Sequence, residues 1–388
     1  MKFLAKYGIG LYILVTLMFK LYFIFPHSVT NGIYYFLMGV GLILFLLYYN
    51  KLFSKKITFK SFSIFFFINF INFLYILIID QTSKGLLYFL AKFATFNLIT
   101  VGVLFNYTYY KEMFVKYFKY VMFVMVLLGK FFGSVEETGE LERLSMGFNP
   151  NDVGVFGMLG MLSIIAMDKS WYKNKINIIL FVFFVLVALL SGSKAALLCM
   201  ALAVILTYGF NYRIILSGVL FVIVAFFSSK FGYLTSIDRL SIKEGNYGTR
   251  DEAYANGIKT LQEDIFFGHG LSKYNWTNPI YWDSPELALG PHNTLLAVAI
   301  MYGVCFGALF VFFILSFSIK TFRKSFRNQD FFIRFNYYII LIVLVNSLFE
   351  TLVVGINEFV TILFWFSVGC VAYNYGFNVK NRIRNVST

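Results

Sequence analysis

The residues of this chain that could do chemistry lie in the polar connections between its apolar runs, chiefly in one long connection from about 230 to 290. His292 follows Pro291 and precedes a long apolar run. An imidazole, titrating near pH ~6.5, accepts a proton at neutral pH, so His292 is either a general base or a polar anchor at a membrane interface. Thr249 and Glu252 fit a capping box, which starts a helix and puts Arg250 in its first turn. The free N–H groups and partial positive charge of a helix start suit phosphate or pyrophosphate; the alternative is an Arg250 paired with Asp251 or Glu252. Lys194, in Ser191-Gly192-Ser193-Lys194, and Arg143, ahead of Gly147-Phe148-Asn149-Pro150-Asn151, are cations in connections of the same kind. Each either snorkels or binds an anion such as a lipid-linked phosphate. His269 lies between two glycines, a pattern that marks a tight turn.

The elements that position these residues are membrane spans. Of 388 residues 59% are hydrophobic and only 13% charged, with a mean hydropathy of +0.74, which no soluble domain of this length matches. Apolar runs long enough to cross a bilayer fall near 7–25, 31–49, 61–79, 85–106, 117–133, 151–167, 177–190, 195–209, 214–229, 292–318, 335–349 and 359–377. The expectation is one all-α integral membrane domain, residues 1–388, of about twelve transmembrane helices. The first run has no small-residue cleavage site after it and reads as a retained span. The connection over 230–290 is too short and polar for a core of its own, so it should lie on the membrane domain as short helices and turns.

Charge sets the orientation. Every second connection is basic: Lys51 to Lys60, Lys111 to Lys119, Lys169 to Lys175, Lys320 to Arg327 and Lys380 to Arg384. The positive-inside rule makes these cytoplasmic, with both termini, and makes the 230–290 connection external. Spread in this way, a net charge of +14 reflects topology rather than nucleic-acid binding. Lys20, Lys92 and Lys130, near or within spans, read as snorkelling or helix-packing residues, and the abundant Phe and Tyr as bilayer-facing.

Several chemistries find no support. Walker A, G-x-S-x-G and H-E-x-x-H sequences are absent. Cys199, Cys305 and Cys370 fall inside expected spans without a Cys or His at ligand spacing, so they read as packing residues, and no metal or other cofactor is expected. Asp80, Glu350 and Glu358 fall at span ends, which weighs against an ion relay through the bundle, although a flippase or other transporter stays open.

In order and spacing the chain resembles the O-antigen ligase and polymerase superfamily of bacterial polysaccharide assembly. The resembling pieces are Arg143 with Gly147-Phe148-Asn149-Pro150-Asn151, Leu190 to Lys194, Thr249-Arg250, Phe267-Gly268-His269-Gly270, and His292-Asn293 followed by Gly303 and Gly307. The resemblance implies a metal-independent glycosyltransferase on the outer face of the bacterial cytoplasmic membrane, acting on an undecaprenyl-pyrophosphate-linked oligosaccharide. It implies His292 as the base toward an acceptor hydroxyl and Arg250 on the donor pyrophosphate. Lys194, Arg143, Asn151 and His269 would be further contacts to pyrophosphate or glycan. Family members carry Arg where this chain has Lys194, which keeps the charge and loses the bidentate fork. A chain-length regulator is a partner expected from the family. The products it implies are a capsule, exopolysaccharide or O-antigen, made by a polymerase or attached by a ligase.

Overall fold

The computed structural model describes residues 2–53, 61–132, 149–167, 170–209, 248–271, 291–326, 328 and 330–386. Among them the regular structure is helical: α1 (Lys2–Lys20), α2 (His27–Phe53), α3 (Ser63–Ile78), α4 (Ser83–Phe132), α5 (Pro150–Met167), α6 (Lys175–Leu190), α7 (Lys194–Tyr208), α8 (Gly248–Glu263), α9 (Thr294–Phe326), α10 (Phe331–Asn346) and α11 (Phe359–Val386). Six of these, α1, α2, α4, α5, α9 and α11, hold stretches long and apolar enough to cross a membrane. The apolar helices α3, α6, α7 and α10 have 15 or 16 residues, roughly 24 Å, against a hydrocarbon core of about 30 Å. Among the described residues the expected segments therefore coincide with helices in position, while six of these helices have full spanning length. The segment near 214–229 lies outside the described residues.

Two boundaries differ from expectation. The basic connection after residue 106 is not a loop: α4 runs on through it and breaks only at Asn106 (φ −142°, ψ 26°), because nothing from Tyr107 to Lys116 is a Gly or Pro that would stop a helix. α9 likewise continues to Phe326, and its interruption is Gly303 (φ 66°).

Helix α5 and the Phe359–Gly376 part of α11 form the centre, with 89% and 83% of their spanning windows buried, against 44% for α1 and 39% for α2 at the periphery. α5 packs on α4, α6, α7 and α10, and α11 on α1, α4, α9 and α10. Aromatics fill much of this centre. Tyr12, Tyr75, Tyr110, Tyr302, Tyr337, Phe96, Phe156 and Trp365 are fully buried, so the bilayer-facing reading of Phe and Tyr is corrected for those that stack between helices and build the core, while others, such as Tyr35, Phe36, Phe70 and Phe312, are exposed on the helix surfaces. Cys305 departs from its expectation as well, being exposed, while Cys199 and Cys370 are buried.

The two ends of the bundle carry different chemistry. At one, Lys111 pairs with Asp330 (2.7 Å), Lys119 donates to Asn177 (2.6 Å) and Tyr110 to the Lys6 carbonyl (2.6 Å). At the other lie the C-terminus of α1, the N-termini of α5, α7 and α9, and the segment between α10 and α11.

Candidate functional site

Helix starts bring the sequence motifs to that second end. In Asn149-Pro150-Asn151-Asp152, the Asn149 side chain accepts the Asn151 N–H (2.9 Å) as an N-cap, Pro150 opens α5, and Asp152 lies in its first turn, where the helix dipole favours a carboxylate. In Ser191-Gly192-Ser193-Lys194, Gly192 (φ 61°) turns the chain out of α6 and Ser193 caps α7 through the Ala196 N–H (3.3 Å). The two starts touch: a Cβ on Gly154 would lie 2.7 Å from the Ser191 hydroxyl. Lys194 thus opens α7 where that helix start meets the first turns of α5. It is exposed and has no ion-pair partner among the described residues, although a cation is disfavoured at a helix N-terminus.

His292 precedes α9, whose N-cap is Asn293, accepting the Leu296 N–H (3.0 Å). The backbone of His292 is held at φ 45°. Its Nδ1 lies 3.2 Å from Glu350 Oε2, and Glu350 Oε1 accepts from the Asn151 amide (2.9 Å). A carboxylate only accepts, so Nδ1 carries the hydrogen of this contact, and in the neutral ring the lone pair is then on Nε2. Both side chains are a little over one-fifth exposed. Beside them Lys20, at the end of α1, pairs with Asp152 (2.7 Å), so it is an ion-pair partner rather than a snorkelling residue.

Glu350 comes from a segment that the sequence shows only as a short connection. Residues 347–358 are largely non-helical, yet Val353 and Val354 are fully buried among α1, α4, α9 and α11. Irregular backbone inside a membrane bundle must have its polar groups satisfied by protein, and here its carbonyls are. Leu348 O accepts from Asn293 (3.1 Å) and Val354 O from Tyr88 (2.7 Å). Val353 O accepts from Lys92 (3.1 Å) and Trp365 (2.9 Å), Gly355 O from Lys92 (2.6 Å), and Ile356 O from Tyr12. The Thr294 hydroxyl joins the Glu350 and Leu352 carbonyls and the Leu352 N–H. Val353 sits at φ 71°, a conformation β-branched residues avoid. Val353 and His292 are the two non-glycine residues with positive φ among those described, and they flank the Glu350 contact. Lys92 is therefore a buried tether for this segment rather than a snorkelling or simple helix-packing residue.

Helix α8 begins at Gly248, which places Arg250 in its first turn; the side chains of that turn, like Arg143, lie outside the described residues. α8 docks on the start of α9, with Gly257 against Leu296 and Pro291 and the Tyr254 hydroxyl 3.4 Å from the His292 carbonyl. His269 is employed differently. Its Nε2 donates to the Thr260 carbonyl (2.6 Å) and its N–H to Ile300 O (2.7 Å), tying the turn to α8 and α9. Among the described residues no three His, Cys, Asp or Glu side chains converge as metal ligands would.

The structure thus joins His292, Asn151 and Glu350, puts Lys194 at the same end, and gives His269 an anchoring bond. This end belongs in large part to a recognisable segment. Residues 179–312 match the family model described as O-antigen ligase. The match supports membership in the O-antigen ligase/Wzy-like superfamily. It covers about a third of the chain and includes Lys194, Arg250, His269 and His292, but neither Asn151 nor Glu350. No curated protein matches the chain. Within this superfamily assignment, Glu350 and Lys92 are the residues the motifs miss. Glu350 is one acid after an apolar run, 58 positions from His292, and only its three-dimensional contact singles it out.

Proposed function

We propose that the chain is a polysaccharide polymerase of the bacterial cytoplasmic membrane, moving a glycan from an undecaprenyl-pyrophosphate donor to a lipid-linked acceptor on the outer face. The observation that carries the reading is the His292–Glu350 contact at the end of the bundle away from Lys111 and Lys119. In the proposed step His292 Nε2 takes the proton of an acceptor sugar hydroxyl. The freed oxygen pair bonds to the anomeric carbon of the donor, and the bond from that carbon to the pyrophosphate oxygen breaks, its electrons leaving with the pyrophosphate. Glu350 holds the imidazole in the tautomer that accepts at Nε2 and balances its charge once protonated. Arg250, with Arg143 and Lys194, offers positive charge to the departing pyrophosphate. Asn151 fixes the Glu350 carboxylate through the second oxygen.

The test is glycan length by gel electrophoresis in a deletion strain carrying wild type, His292→Ala or Arg250→Ala, with membrane expression confirmed. Single repeat units from both variants are expected, and full-length polymer would remove the site and favour a transporter. The family description favours a second reading, a ligase that attaches finished polymer. In that case the variants accumulate long lipid-linked chains that are never transferred.

A further inference from the structure

Directly after α8 the chain makes a turn, 264–271, in which three consecutive apolar side chains face outward. Ile265, Phe266 and Phe267 are 42%, 65% and 48% exposed. In water such a cluster is unfavourable, and its backbone is arranged as lipid requires. Ile265 O accepts the Val304 N–H (2.8 Å), and Phe267 O and the Met301 carbonyl both lie 2.6 Å from the Tyr75 hydroxyl. The Phe267 N–H goes to Asp264 Oδ1 (3.1 Å), Gly268 N–H to Asp264 O (3.1 Å), Gly270 N–H to Met301 O (3.1 Å) and Leu271 N–H to Asp80 Oδ2 (2.7 Å). These main-chain groups are thus bonded internally while the apolar side chains project, the condition that hydrocarbon imposes on non-helical backbone.

The partners of these bonds fix the depth. Tyr75 lies in the last turn of the apolar helix α3, next to exposed Leu77 and Ile78, and Val304 begins the lipid-length half of α9 with its own side chain exposed. Gly268 (φ 71°) and Gly303 (φ 66°) allow the approach: a Cβ on Gly268 would collide with the Gly303 amide and lie 2.7 Å from Ile300 O, and one on Gly303 would collide with Phe266 O. The turn therefore continues the apolar surface of α3 and α9, while Lys259, Gln262 and Glu263 of α8 are exposed on its polar side.

We propose that Ile265, Phe266 and Phe267 are seated among the acyl chains at the edge of the bilayer, making α8 a lipid-anchored helix at the site end of the bundle. The seat holds the end of α8, and the helix carries Arg250 at its other end toward the start of α9, on the side where a lipid-borne pyrophosphate would lie; that consequence rests on the proposed transfer, whereas the seat itself does not.

The experiment uses the full chain in nanodiscs of phosphatidylethanolamine and phosphatidylglycerol containing a phosphatidylcholine with an acyl-chain diazirine. After illumination, adducts are located by mass spectrometry. Adducts are expected on 265–267 as well as on Leu77 and Ile78, and Phe266→Asp should reduce labelling of the turn at least about threefold while leaving that of Leu77 and Ile78. Labelling of Leu77 and Ile78 with none on 265–267 overturns the proposal, as does modification of 265–267 by a water-soluble carbene reagent. Neither readout depends on polymer synthesis, so loss of activity and loss of the lipid seat are separable.

Discussion

Replacing Lys92 with Met tests whether the segment bearing Glu350 is held under tension. Met keeps the length and bulk of the buried stem and removes the ammonium. The Val353 carbonyl retains its bond from Trp365 (2.9 Å), but the Gly355 carbonyl loses the one donor described for it, at 2.6 Å. A hydrogen bond contributes about 0.5–1.5 kcal/mol when its donor is neutral and about 1.5–3 kcal/mol when it is charged. Against it stands the left-handed backbone of Val353, which costs about 1–3 kcal/mol. The two are of one size, so without Lys92 the strain at Val353 is free to relax, and Glu350, three residues away, moves with it. Misplacing a reacting group by about 1 Å lowers rate roughly 10²-fold. Lys92→Met should therefore insert and retain its helices, melt at a lower temperature when purified, and give chains shortened toward single repeats at matched expression. Wild-type chain lengths together with an unchanged melting temperature would refute the reasoning.

Glu350→Gln should reduce transfer at least about tenfold without changing membrane abundance, because a Gln amide can present either its oxygen or its NH₂ to Nδ1 and no longer selects the tautomer; the check is turnover measured on lipid-linked substrate. His292→Gln should cost about 10²- to 10⁴-fold in the same assay. Gly303→Ala should free the 264–271 turn, since the added Cβ meets Phe266 O and the backbone conformation alone costs about 1–3 kcal/mol; faster proteolysis in that turn is the measurement. Tyr75→Phe removes a hydroxyl serving Phe267 O, Met301 O and the Gly270 N–H, so a melting temperature equal to wild type would show those bonds to be dispensable.

Part of this arrangement is legible in the sequence. Thr249-Arg250 reads as a helix start because capping is local chemistry, and α8 begins within about two residues of it; the caps at Asn149 and Ser193, which open α5 and α7, show only in the structure. The His269 turn was legible for the same reason, from its two glycines. What could not be read was any partnership over long separations. Glu350 looks like a span-end acid until α9 and the 347–358 segment are brought together, and Lys92 looks like a snorkelling residue until the carbonyls it serves are known. Burial of Val353 and Val354 in irregular backbone leaves no periodic signal, because periodicity reports helices and strands only. The run through Asn106 misled for the opposite reason: a cluster of lysines resembles a loop although helix propensity carries through it.

Asn151, His292 and Glu350 come from three stretches of chain spread over 200 positions, and only the middle one lies in the segment shared with the O-antigen ligase family. Residues 179–312 are consequently not a transplantable module. A chimera receiving that stretch alone would acquire the imidazole and its helix while depending on the host for a carboxylate at the right height and an amide to hold it. Exchanges of specificity between such proteins should succeed only when the start of α5 and the 347–358 segment travel with the 230–290 connection, and compensating substitutions should be sought at those two places first.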